Sequence, residues 1–446
     1  MRNLRPLTPP LGLLYLSRAL MVKGYEVKIF DCMAKGYSKK AAESLIKDVD
    51  IVGITLQSFN RSIVRRILID IKKLSPELPL IVGGPDCILH NKPFPPADVA
   101  VTSEAEEIIV PIVESILCKG DLSEISGVIF KDRKSGGYRW GLSPGVPENL
   151  DEIKFPAREI MDYSGYDMLG RHITPKMATI MSTRGCPFSC SFCARGAVAY
   201  GRYRERSVEN VLDEIEEIYN SGYKFLAFVD EEFLFKQQRV KCIMRGIIKR
   251  NMKMRMLVQG RVTSADEEMF SLMREAGVRV VVLGLESGNQ DTLDFYHKGT
   301  TVDQNARAVE MADNFNLFSF GFFILGAPME TEKHLENTIQ LAMKLPLDGA
   351  TFNILDYTYG SRLWQDAFNK GLIESHEFNV PTDSKRGLGN FPREELEKLC
   401  LESFDKFYKR PSLWARWLRK VTMLKDPWMS HFLFRIGLRL ARDLLG

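Results

Sequence analysis

Histidine and cysteine are both scarce in this chain of 446 residues, with six of the first and eight of the second. Eight thiols are too few for a disulfide-stapled scaffold of this length, and no secretory signal is expected. Structural zinc takes four ligands from paired Cys-x2-4-Cys or Cys/His elements, and no such matched pairs occur. Long apolar runs are missing too. The longest, near Leu317–Met329, is too short to span a bilayer and reads as a buried strand. A net charge of +4 carries no case for nucleic acid binding, and no recognised nucleic-acid motif accompanies it. The apolar share of 45% and charged share of 26% are those of an ordinary globular protein of two or three domains.

Three of the eight thiols are bunched in Thr183-Arg-Gly-Cys-Pro-Phe-Ser-Cys-Ser-Phe-Cys-Ala-Arg195, as Cys186, Cys190 and Cys193, with Phe192 directly before the last. Three thiolates so close together can wrap one small inorganic cluster. A 4Fe-4S cubane needs four ligands, so three cysteines leave one iron open to a substrate or cosubstrate. The other five, Cys32, Cys87, Cys118, Cys242 and Cys400, read as buried and inert. Retained thiols with an oxidisable cluster point to a reducing cytosol.

From Pro175 onward, short apolar runs alternate with amphipathic helices. Strands are expected at Met177–Ser182, Lys224–Asp230, Met254–Gln259, Val278–Glu286, Phe318–Leu325 and Gly349–Ile354. Ser207 caps a helix ended by Gly222, and Ser264 with Glu267 forms a capping box for another closed by Gly277. Six strands alternating with six helices predict a parallel, partial (βα)6 barrel of the TIM type, whose active site is built from loops after the strands' carboxyl ends. The cysteine loop follows the first strand, Asp230-Glu231-Glu232 the second, Gln259-Gly-Arg261 the third, Gly284-Leu-Glu286-Ser287-Gly288 the fourth, and Gly326-Ala-Pro328 the fifth.

The Cys-x3-Cys-x2-Cys loop and this order of rim segments resemble the radical S-adenosylmethionine enzymes over roughly Pro175 to Leu372. The resemblance implies a cluster held by Cys186, Cys190 and Cys193, whose open iron chelates the amino and carboxylate groups of S-adenosylmethionine. It implies that Asp230 and Glu231 accept from the ammonium, although the family's commoner Gly-Gly-Glu is absent. Glu286 and Ser287 would reach the ribose, Gln259 and Arg261 the ribose or carboxylate. Gly326 to Pro328 would lie along the adenine, with Phe192 near the same ring. One-electron cleavage would give methionine and a 5′-deoxyadenosyl radical that takes hydrogen from an inert carbon. An electron donor such as a flavodoxin or ferredoxin is implied as partner.

Residues 1–150 read as a doubly wound α/β domain, with strands at Tyr25–Phe30, Asp50–Leu56, Leu80–Val82 and Val99–Val101. Pro10-Leu-Gly-Leu-Leu-Tyr-Leu, Gly24-Tyr-Glu-Val, Val52-Gly-Ile-Thr-Leu and Val82-Gly-Gly-Pro resemble the Rossmann-like cobalamin-binding domain of the same enzymes. By that resemblance Thr55, Gln57, Ser58, Gly83 and Gly84 hold the cobalamin nucleotide tail, glycines permitting close backbone approach. No Asp-x-His-x-x-Gly offers cobalt a histidine, and the family's first strand is expected to be missing. A relic domain capping the barrel is the alternative. Ile129 to Arg158 reads as a hairpin and linker.

The expected domains are thus 1–150, 151–372 for the barrel, and a helical basic segment, 373–446. From Lys406 onward ten Lys/Arg face two Asp/Glu, with Arg416, Arg419, Lys420, Arg435, Arg439 and Arg442 among Trp414, Trp417, Trp428, Phe432 and Phe434. A cap packing its aromatics and exposing its cations is the first reading; peripheral contact with an anionic membrane, or delivery of a lipid-like substrate, is the second. For function, cobalamin-dependent methyl transfer to an unactivated carbon leads. A non-methylating cyclase, coupling or rearrangement enzyme on a small-molecule substrate such as a tetrapyrrole or isoprenoid lipid follows, and an inactive accessory protein is third. Tyr357, after the last strand, is either a radical-adjacent donor or barrel packing.

Overall fold

The structure, a computed structural model, describes residues 8–132, 134–162, 177–261 and 266–424. The chain divides into two compact units, Met1–Tyr166 and Asp167–Gly446.

In the first unit, alternating apolar residues build a five-stranded sheet in the order β1 (Val52–Thr55), β2 (Leu80–Gly83), β3 (Val99–Val101), β4 (Val128–Lys131) and β5 (Tyr138–Trp140). The first three run parallel, and the last two form the antiparallel hairpin expected before the linker. Both faces are buried. Leu80, Val82 and Ala100 pack with Val64, Leu68 and Ile71 of the helix Arg61–Leu74, whereas Ile81, Val99 and Val101 pack with Ile112 and Ile116 of the helix Ile109–Leu117. This two-sided burial is what a doubly wound sheet requires. Residues Tyr25–Phe30, expected as a strand, form none. β-prone side chains make a strand only where a neighbour completes the ladder, and among the described residues β1 is paired with β2 alone.

In the second unit β6 (Met177–Ile180) leads into the short ribbon β7 (Thr183–Arg184) and β8 (Arg204–Glu205), which brackets the cysteine loop. Then come β9 (Phe225–Phe228), β10 (Arg255–Gly260), β11 (Val278–Glu286), β12 (Phe318–Leu325) and β13 (Gly349–Ile354). Together with β6 they form one six-stranded sheet, ordered β6-β9-β10-β11-β12-β13, with every pair parallel. The expected partial barrel is present. A ribbon of β14 (Asp356–Thr358) and β15 (Asn379–Pro381) follows it. Ser207 caps the helix Val208–Asn220 by accepting from Asn210 N–H. The helix Glu267–Ala276 is capped by Asp266, which accepts from Met269 N–H; Ser264 lies outside the described residues. Gly277, at φ +112°, ends that helix with room for no Cβ, which would stand 2.1 Å from Met254 O.

The helices Arg393–Tyr408 and Pro411–Leu424 follow. Their aromatics pack as expected, with Phe407 and Trp417 buried; of the cations of the second helix, Arg419 is exposed as expected, Arg416 is half-buried and Lys420 is not displayed to solvent at all. Lys420 is fully buried, and its ammonium donates to Leu317 O and Asp348 Oδ2 at 2.7 and 2.6 Å while lying 3.0 Å from Asp313 Oδ1. Arg416 and Arg419 also pair with Asp313. Three ammonium protons thus meet three acceptors, the condition for burying a lysine. Trp428, Phe432, Phe434, Arg435, Arg439 and Arg442 lie outside the described residues. Of the five cysteines expected to be buried, Cys87 is, Cys32 and Cys400 are half-buried, and Cys118 and Cys242 are exposed on helix ends or faces.

Candidate active site at the carboxyl rim of the barrel

The cysteine loop is pinned from several directions. Asp230, fully buried at the end of β9, accepts from Ser182 N–H, Ser182 Oγ and Thr183 Oγ1, the last two at 2.7 Å. Arg239 donates to Ser182 Oγ and O from the helix Gln237–Lys249. Gly185, at φ +82°, cannot carry a Cβ, which would sit 2.0 Å from Arg202 O. Farther along, Ser191 N–H donates to Tyr296 O at 2.9 Å, and Ser191 O accepts from Leu363 N–H at 2.9 Å. The loop's shape is therefore set by the surrounding barrel.

The three thiols are half-buried. Burial pushes the Cys186 thiol up to about 11 and raises that of Cys193, so loading a metal displaces protons. Among the described residues no three His, Cys, Asp or Glu side chains converge on a single ion. A cubane takes each thiolate on a different iron, and the donor set suits it.

Around the loop, several buried polar atoms have no partner among the described residues. Arg261 stacks over Phe188 of the loop, 3.6 Å from its ring centroid, and its Nε and Nη2 are unmatched. Glu231 Oε2, Tyr296 OH and Glu330 Oε1 are also unmatched. Burial raises the pKa of Glu231 and Glu330, and that of Tyr296 well above its ordinary value. Unpaired buried groups of this kind are costly and mark a place where a ligand's polar atoms belong. A guanidinium for a carboxylate, carboxylates for an ammonium or a diol, and a phenol beside Phe192 match the groups that S-adenosylmethionine presents. Phe192 meets Tyr296 edge-on, with centroids 5.1 Å apart.

Other expected residues have their polar atoms engaged within the protein. Asp230 anchors the loop as described, and Gln259 Nε2 donates to Asp230 O at 2.7 Å. Glu286, at φ +61°, is buried against Lys298, whose Nζ donates to it at 2.7 Å. Ser287 Oγ is 3.1 Å from Thr338 Oγ1 and accepts from Asn289 N–H. Gly326, at φ +97°, and Ala327 donate their N–H groups to Glu330 Oε2, so the turn through Pro328 is held from within. Tyr357 is buried and donates to Leu388 O at 3.1 Å. It packs in a buried cluster with Leu363, Trp364 and Val380. Glu232, Tyr296, Lys298 and Glu330 were not singled out by sequence reading. Glu232 stood in view inside the acidic run; both its oxygens accept from Arg261 N–H, and burial pushes its pKa up to about 7.

In the first unit, Thr55 and Gly83 are the paired last residues of β1 and β2, and Gln57, Ser58 and Gly84 follow in the loops at those carboxyl ends. Leu56 N–H donates to Gly83 O at 2.7 Å, and Asp86 N–H to Leu56 O. Gly84, at φ +109°, lies so close to Thr55 and Leu56 that a Cβ would stand 2.9 Å from each. At Gly83 a Cβ would meet only ordinary contact with Val101, so packing does not demand glycine there. Behind the loops Arg61 donates to the buried Asp86, a pairing that sequence reading missed.

One consequence concerns Asp230. Asp230→Asn keeps an acceptor but turns an NH2 group toward Ser182 or Thr183, leaving buried donors opposed. We expect a loss of about 1–3 kcal/mol in urea unfolding of the apoprotein and reduced iron uptake, with a preserved urea midpoint contradicting the anchoring role.

The family model described as Radical SAM superfamily matches residues 180–342, and that described as B12 binding domain matches residues 1–113. An uncharacterised methyltransferase of Pyrococcus horikoshii is 30% identical over 97% of this chain and 93% of its own. The anaerobic magnesium-protoporphyrin IX monomethyl ester cyclase of Rubrivivax gelatinosus is 28% identical over 90% of this chain and 74% of its own. Among solved structures, the radical S-adenosylmethionine methyltransferase TsrM from Kitasatospora setae, with cobalamin and a 4Fe-4S cluster bound, superposes with a TM-score of 0.67. It is 20% identical and covers 82% of this chain and 74% of that one. The pinned three-cysteine loop at the barrel rim and the cobalamin-type sheet that precedes it thus place this chain in the radical S-adenosylmethionine superfamily, among the members that carry a B12-binding domain.

Proposed function

We propose that this protein is a cobalamin-dependent methyltransferase that acts on an unactivated carbon of a small molecule. The observation that carries the reading is the rim itself. A cysteine loop fixed by Asp230, Arg239, Tyr296 and Leu363 lies beside an unmatched guanidinium, carboxylates and a phenol, in a chain that also has a B12-binding unit. When bound, the cluster supplies one electron to S-adenosylmethionine and cobalamin supplies a methyl carrier.

In this proposal Cys186, Cys190 and Cys193 hold the cluster. Arg261 pairs with the methionine carboxylate, and Glu231 accepts from the ammonium. Glu286, held by Lys298, faces the ribose, with Gln259 and Ser287 behind as supports. Phe192, Gly326 and Pro328 border the adenine, and Tyr296 keeps the Phe192 ring edge-on. Asp230 positions the loop, whereas the sequence had assigned it to the ammonium. In the other unit Thr55, Gln57, Ser58, Gly83 and Gly84 approach the cobalamin tail. A flavodoxin or ferredoxin supplies the electron.

The identity to a cyclase over 90% of this chain favours a second reading, in which the radical acts without methyl transfer. Anaerobically reconstituted protein, given reductant and methyl-labelled S-adenosylmethionine, separates the two. Formation of both deoxyadenosine and S-adenosylhomocysteine, with corrin absorbance in the purified protein, is the expected result. Deoxyadenosine alone would favour the cyclase reading, and neither product from a loaded cluster would sink both.

Membrane contact through the tail is a further part of the proposal only for the face bearing Trp414 and Leu418, four residues apart on one helix and both exposed. Among the described residues no helix is long and apolar enough to cross a membrane. Co-sedimentation with phosphatidylserine vesicles tests this contact, and its absence removes it.

A further inference from the structure

The geometry points to the barrel lumen as the substrate chamber, built for an uncharged, apolar or aromatic portion of the substrate that Asn353 orients. This deepens the radical reading above and rests on it. Side chains alternate along each strand, so Leu257, Val282, Phe320, Phe322, Thr351 and Asn353 share one face of the sheet. The ladders agree, with Gln259 beside Val282 and Val282 beside Phe320 in one layer, and Gly284 beside Phe322 and Phe322 beside Thr351 in the next. The other face is covered by helices.

Adjacent residues of β12 show the contrast. Phe323 is 0% exposed, and Phe322 is 42% exposed although its strand is flanked on both sides by β11 and β13. A phenylalanine left so open on an interior strand marks a face that lines a space. One layer toward the strands' amino ends, Val280 and Phe318 are buried and close the floor. The space continues upward to the rim, because Gln259 and Gly284 belong to the same strands and face as the S-adenosylmethionine residues.

Its chemistry follows from what these layers contain. None of the six positions is ionisable. The Glu286–Lys298 pair folds over Gly284, where a Cβ would come within 2.5 Å of Glu286 Oε1, and it neutralises itself. A charged substrate group would lose its hydration here and find no counter-ion, whereas each apolar Å² removed from water gains about 25 cal/mol. Asn353 is exposed, and its Nδ2 donates only at 3.4 Å to Phe323 O and Thr351 Oγ1. Its amide is therefore available to a hydroxyl or carbonyl on the substrate.

The test is binding of a neutral fluorescent hydrocarbon amine, N-phenyl-1-naphthylamine, to the full reconstituted protein, beside its sulfonated relative 1-anilinonaphthalene-8-sulfonate. The expected result is saturable binding of the neutral probe and at least tenfold weaker binding of the anion. Phe322→Asp should weaken the neutral probe at least tenfold while iron content and cluster absorbance, which depend on the cysteine loop, show that the variant is folded and loaded. If that variant does not fold, Thr351→Asp in the same layer carries the test. Equal affinity of the two probes, or unchanged binding by the folded variant, overturns the proposal. Loss of deoxyadenosine formation in the unsubstituted protein, with probe binding intact, would instead count against the radical reading.

Discussion

Cys190→Ala is expected to abolish both cluster and radical chemistry. Iron after anaerobic reconstitution should fall from about four per chain toward zero, the broad visible absorbance of the cluster should vanish, and deoxyadenosine should drop below detection. The size of the effect follows from the geometry. Three thiolates already leave one corner of a cubane without a protein ligand, so losing a second leaves two, and the described residues hold no trio that could replace them. The exposed Cys118 and Cys242 lie outside this loop, and their replacement by Ala should leave iron content unchanged. Each variant is checked by iron and sulfide analysis together with product chromatography. Retained deoxyadenosine formation by Cys190→Ala would overturn the ligand set.

The second large effect is on stability, at the far end of the barrel. Lys420→Met should destabilise the protein by about 3–5 kcal/mol, the cost of breaking a fully buried ion pair from one side. Asp348, itself 0% exposed, would keep only Ser319 N–H as a donor, and its Oδ1 already has no partner among the described residues. Burial raises the pKa of Asp348, and Lys420 is the charge that opposes this. Replacing both partners, as Lys420→Met with Asp348→Asn, should recover much of the loss, because no unpaired charge then remains. Arg419→Ala, at an exposed pair, should cost under about 1 kcal/mol. Asp313 adds a pH dependence. Burial raises its pKa, but Lys420, Arg419 and Arg416 more than offset this and hold it below the ordinary value. Its contribution is therefore present above a pH of about 4 and is lost as pH falls through the depressed pKa. Urea unfolding at several pH values measures both effects. An unchanged midpoint for Lys420→Met would show that the helix Pro411–Leu424 is not held by this pair.

These cases also show what the sequence could reveal. The barrel was legible because each strand is a short apolar run closed by turn chemistry; Val278–Glu286, Phe318–Leu325 and Gly349–Ile354 have the expected bounds. Residues Tyr25–Phe30 had the same local character and formed no strand, because pairing depends on a neighbour and composition does not report one. The cysteine loop was legible from spacing alone. The split among the acidic residues was not, since the direction in which the Asp230 and Glu231 side chains turn is not written in their residue types. One accepts from Ser182 and Thr183, and the other keeps an unmatched oxygen. Lys298 and Glu330 act on residues twelve and four positions before them, through a left-handed turn at Glu286 and a tight turn at Gly326. Such back-reaching contacts leave no periodic signal. Lys420 was misread for a related reason, since charge clusters usually face water, and here Asp313 and Asp348 receive it on the barrel while Arg419 stays exposed.

Electron paramagnetic resonance of the reduced, reconstituted protein, before and after adding S-adenosylmethionine, tests the central claim most directly. An open iron corner predicts a reduced-cluster signal whose g values shift on addition, with hyperfine coupling to isotope-labelled carboxylate and amino groups of the ligand. A signal that S-adenosylmethionine leaves unchanged, or zinc bound in place of iron by protein prepared without oxygen, would contradict it.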